Sequence, residues 1–169
     1  MFTRQRETRF RHLRSTLTVA ALGVVACWPA TAPAVAAPAQ DADLYPGYEG
    51  PTSLMAGVSG TFRMVVYNRG YTAAPVELFI IFTGAIEQTG RVVAPGMDCE
   101  VRQDNGINGA VRCTAPTVGP INDDYVEVTV QGRGQSPGTG KIAFVVNPNQ
   151  SAVESDYGNN TLTLKVEIQ

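Results

Sequence analysis

The sequence predicts an all-β protein, an immunoglobulin-like antiparallel β-sandwich of about seven strands. Three observations carry that expectation. Thr161–Ile168 alternates without interruption, with Leu162, Leu164, Val166 and Ile168 on one face and Thr161, Thr163, Lys165 and Glu167 on the other. A period of two with one apolar face marks a half-buried strand. The same pattern recurs about every 10–20 residues between Gly- and Pro-rich turns, the spacing of a sandwich or barrel. No stretch after the leader carries a useful helical period.

The chain opens on a leader. Arg4, Arg6, Arg9, Arg11 and Arg14 stand against the single acid Glu7, an apolar run extends from Leu17 to Trp28, and Ala34 and Ala36 place small residues at a cleavage site. This reads as a secretory signal peptide spanning residues 1–36. A run of about a dozen apolar residues is shorter than the ~20 that a membrane-crossing helix needs. Val24–Cys27 offers an alternative, a lipoprotein cleavage box in which Cys27 is lipidated and the following Ala/Pro-rich stretch serves as a tether. The expected location is therefore outside the cell, or lipid-anchored at its surface in the alternative.

The full chain has 13 basic and 15 acidic residues. Removing the leader's five arginines and one glutamate leaves 8 against 14, a net charge of about −6. An acidic chain without a basic cluster is not expected to bind nucleic acid, nor a membrane unless Cys27 is lipidated. The only histidine, His12, lies in the leader. Cys99 and Cys113 remain, and an even cysteine count in an exported chain reads as a disulfide. Two cysteines without histidine cannot complete a zinc site.

Residues 37–50 read as a flexible lead-in and residues 51–169 as the sandwich domain. In Thr61–Asn68, Phe62, Met64 and Val66 share a face. In Pro75–Thr83, Val76, Leu78, Ile80 and Phe82 alternate with Glu77, Phe79, Ile81 and Thr83. Both faces of that segment are largely apolar, as in a central strand whose outer face is partly covered. Arg91–Ala94 is at most a short strand. An antiparallel hairpin that sets Cys99 opposite Cys113 also sets Val101 opposite Val111, so one register serves both pairs. Asp104–Gly109 would be its tip. Asp124–Gln131 places Val126, Val128 and Val130 inward. Gly132–Gly140 reads as a turn region, and Ile142, Phe144 and Val146 share a face of the next strand.

Three motifs resemble bacterial immunoglobulin-like surface domains: the CARDB (cell-adhesion-related domain) family and the related conserved repeat domain. The first is the strand Thr61–Asn68 followed by Arg69 and Gly70. The second is the pairing of Met97–Cys99 with Val111–Cys113. The third is the acidic Asn-Asn ending, Glu154–Asn160, before a closing strand. The resemblance covers roughly residues 50–168. It implies a non-catalytic module for protein binding, adhesion or spacing, with a protein or a cell-wall component as partner and no cofactor. Family members usually occur in tandem, and this chain shows no internal repeat.

Candidate sites are few. Without histidine or a free thiol, Ser-His and Cys-His catalysis have no base or nucleophile. Asp123 and Asp124 are adjacent loop acids, a pattern typical of solvated turns. Glu154, Asp156, Asn159 and Asn160 form an oxygen-rich cluster with the composition of a calcium site, and equally that of a side-chain-capped turn. Asp104–Gly109 resembles a calcium loop more faintly. Tyr67, Tyr71 and Phe79 are expected to share an outer sheet face and to serve as a binding surface, since Tyr and Phe anchor interfaces. The alternative function is a carbohydrate- or calcium-dependent binding module.

Overall fold

A computed structural model describes residues 41–102, 107–122 and 124–169. The leader, Cys27, residues 104–106 of the hairpin tip and Asp123 lie outside the described residues. Ten strands are described: β1 Leu44–Glu49, β2 Ser53–Leu54, β3 Ser59–Asn68, β4 Ala74–Gly84, β5 Ile86–Val93, β6 Asp98–Arg102, β7 Ala110–Val118, β8 Tyr125–Gly134, β9 Gly138–Val146 and β10 Thr161–Ile168. They form a four-stranded sheet in the order β1-β3-β8-β5 and a six-stranded sheet in the order β2-β10-β9-β4-β7-β6. All pairings are antiparallel except the short contact of β2 with β10.

The alternation seen in the sequence is what buries the core. Phe62, Met64, Val66, Val128 and Val130 face inward from the smaller sheet. Leu78, Ile80, Phe82, Ile142, Phe144 and Val146 face them from the larger. β4 is central, hydrogen-bonded to β7 on one side and β9 on the other. Its outward residues Phe79 and Ile81 are half-buried.

Three elements differ from expectation. Leu44–Glu49, inside the expected flexible lead-in, is β1 and pairs along its whole length with β3. Pro46 and Gly47 conceal it, yet an edge strand tolerates both, and Leu44 is fully buried. The folded unit therefore begins before residue 51. β5 runs Ile86–Val93 and is longer than the stretch Arg91–Ala94. Gly132 and Gly140, which read as turn residues, lie inside β8 and β9. A Cβ at Gly132 would stand 3.0 Å from Ile86, Phe62 and Phe82 side chains. The glycine is there to admit core rings, not to turn the chain.

The β6–β7 hairpin has Cys99 opposite Cys113 and Val101 opposite Val111, and the two cysteines form a disulfide. Val111 is buried and Val101 is exposed, because β6 is the edge of its sheet. Closing a loop of about 15 residues contributes roughly 3 kcal/mol in the chain-entropy picture. The double variant Cys99→Ser/Cys113→Ser is expected to lose about that much in urea unfolding. The variant's midpoint should not respond to reductant, whereas the native protein's should fall towards it.

Candidate functional site

The strand registers place three tyrosines in one row. Tyr45 on β1 is the partner of Tyr67 on β3, and Tyr67 is the partner of Tyr125 on β8. Neighbouring strands lie about 4.8 Å apart, so opposed aromatics on one face must touch. The ring centroids of Tyr45 and Tyr67 are 5.4 Å apart, and those of Tyr67 and Tyr125 are 6.0 Å apart. Gly47, next along β1, leaves room for the Tyr67 ring, whose Cε2 would lie 3.0 Å from a Cβ there. The guanidinium of Arg69 stands over the Tyr45 ring, 5.5 Å from its centroid, and pairs with the Asp43 carboxylate. Tyr45 donates its hydroxyl hydrogen to Asn122 Oδ1 at 3.3 Å.

Two loops extend this row at the same end of the sandwich. Ile121 N–H donates to the Gly70 carbonyl at 2.9 Å and Asn122 N–H to the Asn68 carbonyl at 2.8 Å. These bonds hold Ile121 and Asn122 at φ of 58° and 56°. Left-handed backbone is ordinary for Asn, but for β-branched Ile it is an outlier, and such strain costs about 1–3 kcal/mol. Ile121 is 56% exposed and Tyr71, beside Gly70, is 63% exposed. A strained backbone that holds an apolar side chain out in water serves no purpose in the core.

Further along the same outer face, Arg63 bonds Glu127 at 2.7 Å and Glu49 at 2.9 Å. The hydrogen bond from Arg63 holds the Glu127 carboxyl below its ordinary value. A depressed carboxylate pKa contributes stability above the unfolded value near 4.5, and that contribution is lost as pH falls through the lower folded value. The melting-temperature difference between native protein and Glu127→Gln is therefore expected to be small but measurable at pH 7 and to shrink as pH falls below the unfolded value near 4.5. An unchanging difference across that range would assign the effect to packing.

The sequence-derived sites divide. Tyr67 and Tyr71 lie at one end of the molecule's four-stranded side, but Phe79 belongs to the other sheet and does not join them. It stacks under Arg112, whose guanidinium is 5.7 Å from its ring centroid. The expectation of a single face failed because alternation fixes the side of a strand, not the sheet to which the strand belongs. Tyr45 and Tyr125 complete the row instead. The signal for Tyr125 was present, since it shares the outward parity of Glu127 and Thr129.

Glu154, Asp156, Asn159 and Asn160 form a hydrogen-bonded knot. Glu154 is buried, its Oε2 accepts Leu44 N–H at 2.8 Å, and its Oε1 accepts from the amides of Asn147 and Asn160. Asp156 Oδ1 accepts Gly158 N–H at 2.7 Å, and its Oδ2 lies 4.0 Å from Arg69. Asn159 donates to Asp43 at 2.7 Å. The carboxylate oxygens thus face N–H donors that a cation would have to displace. Asn159 Oδ1 and Asn160 Oδ1 are buried without a donor, and these are neutral amide oxygens. Among the described residues no three Asp, Glu, His or Cys side chains converge.

No protein-family model and no curated protein matches this sequence. Solved structures do. The crystal structure of the CARDB domain of a Pyrococcus furiosus protein, in complex with di-metal ions, aligns with a TM-score of 0.56 over 77% of this chain and 90% of that domain, at 15% identity. The solution structure of the CARDB domain from that organism gives 0.55 over 76% and 96%, also at 15% identity. The fold is that of a CARDB domain. In this chain the Glu154 carboxylate oxygens are already satisfied by N–H groups.

Proposed function

We propose that this CARDB-fold chain is a non-catalytic module working outside the cell or at its surface, where it binds a protein partner. The observation that supports this reading is the end of the sandwich where Tyr45, Tyr67 and Tyr125 run into the strained loop at Ile121. Binding surfaces favour tyrosine because it offers large rigid contact area at little entropic cost. They are also carried on loops presented by a rigid scaffold, and both sheets here supply that rigidity. Adhesion or spacing then depends on what the partner is attached to.

Ile121→Gly separates the binding role from the fold. Relieving the left-handed strain is worth about 1–2 kcal/mol, offset by up to about 1 kcal/mol of glycine entropy. The variant is expected to be as stable as the native domain or slightly more so, by about 0.5 kcal/mol. It should nonetheless bind worse. The test is quantitative capture of cell-surface proteins from the protein's own host, comparing native domain with the Tyr71→Ala/Ile121→Gly/Tyr125→Ala variant and checking both by thermal unfolding. A protein retained by the first and lost by the second supports the reading. Equal retention by both, or dependence of glycan rather than protein binding on these residues, overturns it.

A further inference from the structure

β10 is an edge strand for most of its length. Among the described residues its one outer neighbour, β2, pairs only with Glu167 and Ile168. Glu167 N–H donates outward to Thr52, whereas the Asn160 carbonyl accepts inward from Val146 of β9. The unbroken register of β10 with β9 carries this alternation through the strand. The N–H and C=O groups of Thr161, Thr163 and Lys165 therefore point to the open side. Leu162 and Leu164, on the core side of the same edge, are only half-buried.

The outer face of this edge carries an unusual charge arrangement. Lys141 and Lys165 are the only lysines in the chain, and they are direct cross-strand partners. Like charges so placed repel each other. Among the described residues no carboxylate forms an ion pair with either amine. Glu167, the next outward residue, instead accepts from the Thr139 hydroxyl at 3.3 Å. In a chain with more acids than bases, two cations are set side by side and, among the described residues, neither is paired with an acid.

We propose that the Thr161–Lys165 edge is a β-augmentation site for an extended acidic segment of a partner protein, one that alternates carboxylate and apolar side chains. Main-chain hydrogen bonds to an exposed edge supply affinity, and alternate side chains supply specificity. A strand laid on this edge sets one face of its side chains beside Lys165 and Lys141, where a carboxylate relieves the repulsion. Its other face covers Leu162 and Leu164. The site shares no residue with the tyrosine end, so the two stand or fall separately.

The probe is a capped seven-residue peptide alternating glutamate and valine, with a lysine-for-glutamate peptide as control, titrated into the 15N-labelled domain. The glutamate peptide is expected to shift amides of residues 161–166 and to bind at least tenfold tighter than the lysine peptide. Lys141→Glu/Lys165→Glu, both surface changes, should invert that preference. N-methylating alternate amides of the peptide should weaken binding at least tenfold while the protein is left intact. Ile121→Gly should change none of this. Equal binding of the two peptides, amide shifts elsewhere, or self-association of the domain through this edge that the peptide does not compete with would overturn the proposal.

Discussion

Replacing Glu154 with alanine is expected to lower the unfolding free energy by about 4 kcal/mol, since it leaves three buried donors unpaired at roughly 1–3 kcal/mol each. Those donors are the Leu44 N–H and the side-chain amides of Asn147 and Asn160. None can turn to water easily. Leu44 is fully buried in β1, and Asn147 is fixed by its own bonds to Ser151, at 2.9 Å, and Ala152. Glu154→Gln should not restore stability, because its NH2 group would face donors. Exposed Glu100→Ala serves as the control and is expected to stay within about 0.5 kcal/mol of native. Urea unfolding of the three variants decides the matter. A loss under 1 kcal/mol for Glu154→Ala would mean that the knot is not what ties β1 down.

The same substitution reaches the tyrosine end. Glu154 holds the Leu44 amide, and the next residue is Tyr45, whose ring stacks on Tyr67. A second tie joins the segments where Ser155 N–H donates to the Ala42 carbonyl at 2.8 Å. Loosening β1 should therefore speed amide exchange at Leu44 and alter the environment of Tyr67 on the neighbouring strand. This links fold and proposed function through one carboxylate.

That link also explains which parts of the molecule could be read in advance. Inward faces were legible wherever alternation was uninterrupted, as in Phe62–Val66, Leu78–Phe82 and Ile142–Val146, because side-chain parity is a local property. The Cys99–Cys113 register was legible because a hairpin is also local. Glu154 read as a candidate cation ligand because composition shows an oxygen-rich cluster but not the N–H groups that come to meet it. Leu44 is 110 residues away in sequence. Likewise, Tyr45 and Tyr125 become neighbours of Tyr67 only once β1 and β8 flank β3. The pairing of the two lysines needed the β9–β10 register, for which neither strand's own pattern is enough.

Asn68 carries the second large effect. The sequence shows it only as the residue before an Arg-Gly turn. In the fold its side chain is fully buried and makes four hydrogen bonds, the most that an amide of this kind commonly supports. Oδ1 accepts the N–H groups of Asp43 and Gly70, each at 3.0 Å. Nδ2 donates to the carbonyls of Thr72, at 2.7 Å, and Val118, at 3.3 Å. One side chain thus joins the N-terminal segment, the β3–β4 loop and the end of β7. Asn68→Ala orphans all four backbone groups and is expected to cost about 4 kcal/mol. Asn68→Asp should do no better, because it sets a carboxylate oxygen against two carbonyls. Gly70 belongs to the same device, since a Cβ there would run into the backbone of Asp41 and Ala42. The loop that Asn68 anchors presents Tyr71 and bonds Ile121. Asn68→Ala should therefore melt earlier and weaken partner capture together, whereas Ile121→Gly weakens capture alone. Finding the same pattern for both variants would show that the tyrosine end is held by the fold at large and not by this anchor.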